Sequence, residues 1–519
     1  MKKIFSLLIL PSLLLSCVKD LDTKPRTENV LLAEAAWEDT SSYEKFLSKI
    51  YAGLALSGNE GPFGSNDMSA ADQGEATFVR SYWNLQQLCT DEVIGVEDGE
   101  TKRGLYFLQW NSSNSLVAMN YTRLFLNIAY TNEFIRETAS GKVDGRNLSP
   151  SLKTKVEGFR AEARALRALN YYFLMDLYGN VPFIDEDFPV GTNNVSQKDR
   201  SFLFPWIESE LKSVEGHLPP GDKAHYGMIN DATVWMILAK MYLNAEVYTG
   251  QNKYTESLTY TNKVINAGFT IDPVYRNMFC ADNDRSSEII FPIIYDGLRA
   301  TTFGGTTFLI AGAVKSDMNP MFTVGFSQAW ASIRAKKTLS SLFEDNDSRA
   351  LFWKTGRTQE TTEWNDFNKG WSVVKYSNLR SDGTPGSNSA HADTDFPLFR
   401  LADAYLMYAE ALLRGGEGGT RAQALEYVRR LRQRSNASVI ADVDLTLDFI
   451  LNERSRELYW EGHRRTDLIR YGRFTKNYAW PWKNGTYGGV ANIDDKFKIY
   501  PIPSTELTSN GLLRQNTGY

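Results

Sequence analysis

The sequence predicts a mainly α-helical fold of paired helices, beside an irregular, loop-rich region that contains short strands. The helical part is predicted by residues 157–182 and several other segments, where apolar side chains recur at helical spacing. Between about residues 269 and 396 this periodicity fades and glycines multiply. Short runs typical of strands appear there at 289–295 and 371–376. An irregular region next to a helical scaffold is the expected place for a binding site.

Residues 157–182 predict the most informative helix of the chain. Arg160, Arg164 and Arg167 share one of its faces, and an apolar stripe occupies another. Because three like charges one turn apart repel, we expect each arginine to pair with a carboxylate from elsewhere in the chain. The helix is expected to end just before Gly179, which favours a C-cap. We therefore predict a buried scaffold helix.

Amphipathic periodicity predicts further helices on both sides of this one. We expect them at residues 41–56, 115–138, 202–215, 231–248, 254–266, 401–413 and 421–434. The segments 231–266 and 401–434 resemble each other in layout and have the small-aromatic pattern of tetratricopeptide helix pairs. Residues 58–103 are rich in glycine and acidic residues, and we predict mostly loops there.

Residues 454–474 predict a second helix that is crowded with charges. Glu453, Glu457 and Glu461 alternate there with arginines. We expect these carboxylates to form buried ion pairs with the arginines of the 157–182 helix.

The first residues have the form of a bacterial secretory signal. Two lysines at positions 2 and 3 precede an apolar run at 4–15, which is too short to span a bilayer. The sequence LLSC that ends at Cys17 looks like a lipobox, so we predict a lipoprotein signal peptide at residues 1–16 and lipidation of Cys17. Several acyl chains on one cysteine give stable anchoring. A plain signal peptide followed by a chance cysteine is the alternative.

Composition limits the partners and the chemistry of the chain. Its 57 basic and 62 acidic side chains give a formal net charge of −5, which argues against nucleic acid as a partner. The aromatic fraction of 13% supplies rings of the kind used for sugar stacking, although most must belong to the core. Four histidines lie far apart in the sequence, without a zinc-protease or triad motif. Cys89 and Cys280 are expected to be buried thiols rather than a disulfide.

Two segments resemble the hallmarks of the SusD/RagB family. They are EGFRAEARALRALNYYFLMDLYGNVP at 157–182 and RSRELYWEGHRRTDLIRYGRF at 454–474. The segments YPIPS and QNTGY near the C-terminus also match the family's ending. The resemblance covers nearly the whole chain and implies a SusD-like α-α superhelix. It implies one integrated fold, with an N-terminal helical region at 17–268 and a C-terminal region at 269–519.

Members of this family are lipid-anchored nutrient-binding proteins of the Bacteroidetes outer membrane. The resemblance therefore implies a non-catalytic protein on the cell surface, anchored to the outer membrane through Cys17. It also implies a glycan ligand, no required cofactor, and a TonB-dependent, SusC-like transporter that receives the ligand. A different glycan or nutrient is one alternative. A glycoside hydrolase is another, since carboxylates are abundant, and a helical-repeat protein that binds only proteins is the third.

The chain further resembles the starch-binding branch of the family, in which an arc of aromatic rings grips a helical glucan. This resemblance implies stacking of sugars on Trp330 and Phe303 and hydroxyl contacts to Arg80 and Asp72. A starch-like α-glucan is then the first-choice ligand. The resemblance is carried by Trp330 and by residues 72–80, 281–284 and 303–306.

One departure from that branch affects the expected ligand. Residues 93–100 contain no aromatic residue where the branch has a tryptophan. Part of the aromatic arc is therefore missing or supplied by another residue, and the ligand can differ. The alternative role for Trp330 itself is a core residue.

In two acidic loops, residues with oxygen donors occur at alternate positions, as they do in calcium sites. The candidate ligands are Asp284, Asp393 and Asp395. Some starch-binding family members hold a structural calcium in similar loops, whereas ordinary solvated loop charge is the alternative.

Overall fold

The structure is a computed structural model that describes residues 33–59, 61–62, 67–69, 72–192 and 194–519. These residues form nineteen α-helices and eight short β-strands. The predicted fold class, mainly helical with an irregular region that contains short strands, is therefore confirmed.

The helices and strands have the following bounds in chain order. The helices are α1 (Ala33–Glu38), α2 (Ser42–Ala55), α3 (Phe78–Gln87), α4 (Glu100–Tyr106), α5 (Ser115–Glu137), α6 (Ser140–Gly145), α7 (Pro150–Leu177), α8 (Arg200–Val214), α9 (Asp231–Leu243), α10 (Ala245–Thr249), α11 (Tyr254–Ile265), α12 (Gly305–Ala311), α13 (Pro320–Val324), α14 (Lys337–Ser340), α15 (Leu401–Leu413), α16 (Arg421–Arg434), α17 (Leu447–Leu458), α18 (Arg464–Arg470) and α19 (Ser504–Ser509). The strands are β1 (Val93–Gly95), β2 (Val181–Pro182), β3 (Gln197–Lys198), β4 (Ile289–Ile293), β5 (Ile333–Ala335), β6 (Phe352–Trp353), β7 (Ser372–Val373) and β8 (Phe396–Arg400).

The scaffold is a succession of helices in which each member packs against the next. The order of contact is α5, α7, α8, α9, α11, α15 and α16, and α17 also packs against α15. A helix with neighbours on two sides buries a wide apolar face, which explains the strong periodicity of these segments. This succession corresponds to the tetratricopeptide-like pairing predicted from the sequence.

The central helix α7 begins earlier than its apolar pattern indicates. Ser149 is its N-cap and accepts a hydrogen bond from the Leu152 amide, and Pro150 occupies the first turn. The first turns are largely exposed, so they lack the apolar stripe that marks the rest of the helix. The end is as predicted, because Gly179 follows the C-cap residue with a positive φ of 71°.

The strands form four two-stranded antiparallel sheets, which pair β1 with β5, β2 with β3, β4 with β8, and β6 with β7. The β1–β5 sheet pairs Val93 with Ala335 and Gly95 with Ile333. It therefore joins the N-terminal region to the segment that directly follows Trp330.

The prediction of loops at residues 58–103 was wrong in its second half, which contains α3, β1 and α4. All ten residues of α3 are buried, including polar ones such as Arg80 and Asn84. Its apolar residues Phe78, Val79, Tyr82 and Trp83 do recur at helical spacing, but the helix is short and follows a glycine- and acid-rich segment that favours loops.

The prediction of one helix at 454–474 was also wrong. The chain forms α17 and α18, separated by a turn in which Trp460 has a φ of 67° and Gly462 a φ of 82°. Positive φ values interrupt a right-handed helix.

The expected ion pairs between the two charge-rich segments are not those observed. Arg164 and Arg167 of α7 pair with Glu210 of α8, at 2.6 Å and 2.8 Å, and Arg167 also pairs with Glu186. Carboxylates close to α7 thus neutralise its arginines. The two segments do share a buried ion pair, Asp176 with Arg465 at 3.8 Å, but its carboxylate lies on α7 and its arginine on α18.

The carboxylates of α17 and the following turn instead belong to a separate buried cluster. Glu457 contacts Arg349 and Arg400 at 3.0 Å and 2.7 Å, and also pairs with Arg434. Glu453 contacts Arg349 at 2.7 Å. We call this group the central ion cluster; its members are Arg349, Arg400, Arg434, Lys375, Glu288, Glu453, Glu457 and Glu461.

Cys89 and Cys280 are buried free thiols, as predicted. Within the described ranges, every helix is too short or too polar to traverse a lipid bilayer.

Candidate functional site

Three half-buried rings lie side by side in the irregular region. The ring centroids of Phe303 and Trp330 are 6.4 Å apart, and those of Phe303 and His391 are 5.0 Å apart. Each ring is neither fully buried nor fully exposed. We call Phe303, Trp330 and His391 the aromatic platform, because partly exposed rings in one place offer apolar surface to a ligand.

Trp330 is held against the end of α12 by its backbone. Its amide donates to the Ala311 carbonyl at 2.8 Å, and the Ala331 amide donates to the Val314 carbonyl at 2.9 Å. Ala331 has a φ of 52°, which is uncommon for a residue other than glycine. The indole Nε1 donates to Gln328 at 2.9 Å. These bonds fix the indole, one side of which packs against the hydrophobic core.

Phe303 lies where two backbones approach closely. A Cβ atom added at Gly74 would lie 2.5 Å from the Phe303 carbonyl oxygen, and one at Gly304 would lie 2.5 Å from the Gly74 carbonyl oxygen. Both positions therefore require glycine for steric reasons. This contact seats Phe303 beside the start of α3, where Asp72 and Arg80 lie.

Asp72 and Arg80 bind each other at the edge of the platform. Arg80 Nη1 donates to the Asp72 carboxylate at 3.1 Å and to the Phe303 carbonyl at 3.4 Å. The guanidinium also lies over the Phe308 ring, 4.3 Å from its centroid. The side chain of Arg80 is only 5% exposed, whereas that of Asp72 is 46% exposed. Asp72 is thus the accessible acceptor, and Arg80 fixes its position from below.

The structure therefore brings together the four residues for which we predicted sugar contacts: Asp72, Arg80, Phe303 and Trp330. Their proposed roles in binding a sugar stay predictions.

A chain of charges leads from Arg80 to Glu97, in the segment 93–100 that contains no aromatic residue. Arg80 lies 3.6 Å from Glu75, and Lys102 lies 3.1 Å from Glu75. Lys102 also pairs with Glu97. The platform thus continues into alternating charges rather than into a further aromatic side chain.

His391 was not among the site residues predicted from the sequence. Its ring packs on Phe303, and its Nδ1 lies 3.3 Å from the Thr302 carbonyl oxygen. Burial lowers the pKa of His391, which favours the neutral form of the ring. A lone histidine far along the chain carries no periodic signal, so only the fold could reveal this neighbour.

Two of the candidate calcium ligands, Asp393 and Asp395, already have protein partners. Asp393 accepts hydrogen bonds from the Gly297 amide at 2.8 Å and the Ser387 hydroxyl at 2.6 Å. Asp395 accepts from the Tyr295 amide and the Tyr226 hydroxyl, and burial raises its pKa to about 7.

Asp284 lies on an exposed turn. Across the described ranges, no group of three or more His, Cys, Asp or Glu side chains is arranged to hold a metal ion. A calcium ion at these three residues stays a prediction.

Comparison with known proteins gives a family match, a relative that aligns over the whole chain, and others that align over part of it. The model of the SusD family matches residues 312–519. The starch-binding protein SusD of Bacteroides thetaiotaomicron is 32% identical over 577 aligned residues, which cover 100% of this chain and 99% of the relative. SusD-like protein P2 of Formosa agariphila is 25% identical, over 74% of this chain and 78% of the relative.

Solved structures show the same fold. A SusD superfamily protein from Parabacteroides distasonis superposes with a TM-score of 0.72 and 20% identity, over 92% of this chain and 99% of that one. Surface glycan-binding protein A from Bacteroides thetaiotaomicron, solved with laminarihexaose, gives a TM-score of 0.69 and 20% identity, over 91% and 98% of the two chains.

Proposed function

The chain belongs to the SusD family, and from this membership we propose that it is a cell-surface protein that binds a glycan without cleaving it. The observation that carries the proposal is the aromatic platform with the carboxylate of Asp72 at its edge. Flat rings stack on the apolar faces of pyranose units, and a carboxylate accepts hydrogen bonds from their hydroxyl groups. The platform supplies both kinds of contact.

A starch-like α-glucan is the ligand we propose first. The full-length relative from Bacteroides thetaiotaomicron is named as a starch-binding protein, and Phe303 and Trp330 supply two neighbouring stacking rings here. The charge chain from Arg80 to Glu97 favours a second candidate, a glycan with other linkages, because it places polar groups in a segment that contains no aromatic residue.

We expect purified protein to bind maltoheptaose with modest affinity in isothermal titration calorimetry. Each stacked ring contributes only about 0.5–1.5 kcal/mol beyond area burial, so a dissociation constant between about 10 μM and 1 mM is expected. Laminarihexaose is the matched β-linked comparison.

Three other results would change the proposal. Binding of laminarihexaose alone would move the specificity to β-glucans. Reducing ends released from either oligosaccharide would indicate a glycoside hydrolase. No binding to any sugar on a glycan array would favour a helical-repeat protein that binds only other proteins.

We further propose that a lipid on Cys17 anchors the protein to the outer face of the outer membrane. Cys17 lies outside the described residues, and the proposal rests on the lipobox-like sequence that it ends. From this position the protein would deliver its glycan to a TonB-dependent, SusC-like transporter. Co-purification of such a transporter with the native protein tests the partnership.

Cys17→Ala is expected to move the protein from the membrane fraction to the soluble fraction, because the substitution removes the thiol that carries the lipid. Fractionation followed by immunoblotting measures the change. Val18→Ala is the control, since it alters the neighbouring residue and keeps the cysteine. Retention of Cys17→Ala in the membrane at the wild-type level would contradict the lipoprotein assignment.

A further inference from the structure

A second concave site lies where α5, the β2–β3 connection and α19 meet. It is a cavity of about 390 Å³. Its walls are mainly apolar, formed by Phe125, Leu126, Ile184, Val195 and Leu513. Cavities of this size, with apolar walls and a few polar groups, are typical small-molecule sites.

Two polar side chains in this cavity lack partners in the described part of the chain. Tyr121 is 1% exposed, and its hydroxyl makes no hydrogen bond there. Glu506 is half-buried, and its carboxylate has no hydrogen bond or ion pair with any described residue. Burial raises the pKa of Glu506, as expected for a partly desolvated carboxylate without a countercharge. The Tyr121 hydroxyl has almost no accessible surface, whereas Glu506 is partly exposed, so Glu506 is the charged group that a ligand in the cavity can contact.

The walls of the cavity are fixed by bonds that do not involve a ligand. The side-chain amide of Asn510 donates to the Val195 carbonyl at 2.9 Å. The backbone amide of Asn510 donates to the Glu506 carbonyl, also at 2.9 Å. The ring of Tyr121 packs edge-on against Tyr178, with centroids 5.1 Å apart. The cavity is therefore already formed before a ligand binds.

We propose that this cavity binds a small organic ammonium ion with an apolar body. The ammonium group binds the carboxylate of Glu506, the charged side chain of the cavity lining. The apolar body fills the space between the aromatic and aliphatic walls. A sugar fits less well, because it carries a hydroxyl on nearly every ring carbon, whereas the walls of the cavity are mainly apolar.

Three probes of the same shape separate charge from apolar fit. We expect phenethylamine to bind more tightly in calorimetry than 2-phenylethanol, and phenylacetate to bind least. Glu506→Gln should weaken phenethylamine binding by about tenfold or more, because it removes a charge-assisted hydrogen bond. Tyr121→Phe should leave both phenethylamine binding and the melting temperature unchanged, because the hydroxyl has almost no accessible surface and no partner in the described part of the chain.

Glu426→Gln is the matched control. Glu426 lies on an exposed helical surface, where it pairs with Arg430. The substitution removes the same charge as Glu506→Gln and should leave phenethylamine binding unchanged. Equal binding of 2-phenylethanol, tighter binding of phenylacetate, or no saturable binding of phenethylamine would each overturn the proposal. Maltose binding that is lost in Glu506→Gln would also overturn it, in favour of a second sugar site. Trp330→Ala tests glycan binding at the platform independently, because Trp330 does not line this cavity.

Discussion

Replacing Glu457 by glutamine is expected to lower the free energy of unfolding by about 3–5 kcal/mol. Glu457 is fully buried and contacts the guanidinium groups of Arg349, Arg400 and Arg434. Glutamine keeps the shape of the side chain and removes its charge. The three buried cations then lose the carboxylate that they share, and leaving charges uncompensated inside a protein is costly. Urea titration and thermal melting measure the loss.

Glu426→Gln is the control for this substitution as well. It makes the same chemical change in an exposed pair with Arg430, and it should alter the free energy of unfolding by no more than about 0.5 kcal/mol. A Glu457→Gln variant as stable as this control would mean that the central ion cluster does not depend on its shared carboxylate.

The same cluster gives the protein an acid-dependent stability. Neighbouring arginines outweigh desolvation and lower the pKa of Glu453 from 4.5 to about 2, and they hold the pKa of Glu457 well below its usual range. A carboxyl whose folded pKa is lowered stabilises the protein above its unfolded pKa, and that contribution is lost as the pH falls toward the folded pKa. We therefore expect stability to decline below about pH 4.5, and to decline less in Glu457→Gln.

The longer scaffold helices could be predicted from the sequence, and a shorter helix such as α3 could not. The bounds predicted for α15 and α16 agree with the structure, because apolar side chains recur at helical spacing over their 13 and 14 residues. Helix α3 has only 10 residues and follows a glycine- and acid-rich segment, so loop signals outweighed its apolar periodicity.

The partners of buried charges could not be predicted at all. The sequence shows that Glu453 and Glu457 alternate with arginines, but their principal partners include Arg349 and Arg400, about 50 to 110 residues earlier in the chain. Charge pairing is decided by the packing of distant segments, and the signs of neighbouring charges do not determine it.

The candidate site was predicted in part. Resemblance pointed to Phe303, Trp330, Asp72 and Arg80, and the structure places these residues together. The resemblance could not show that Arg80 is nearly buried, or that the His391 ring packs against Phe303, because both facts depend on tertiary packing.

Trp330→Ala is expected to weaken maltoheptaose binding by about tenfold or more. The substitution removes the larger ring of the platform, and with it both the stacking energy and the apolar area that a sugar would cover. His391→Ala should have a smaller effect, since an imidazole offers less apolar surface than an indole. Calorimetry measures both affinities, and thermal melting of each variant measures its stability.

Trp353→Ala is the matched control, since Trp353 is also half-buried in the irregular region and lies on strand β6 rather than on the platform. A site at Trp330 requires that Trp330→Ala lose binding while its melting temperature falls no further than that of Trp353→Ala. One side of Trp330 packs against the core, so a modest decrease is expected in both variants. A much larger decrease for Trp330→Ala, or unchanged maltoheptaose affinity, would assign the indole to the core and place the sugar elsewhere. The backbone hydrogen bonds to the Ala311 and Val314 carbonyls do not involve the indole ring. The substitution therefore removes the ring and keeps the hydrogen bonds that hold its loop in place.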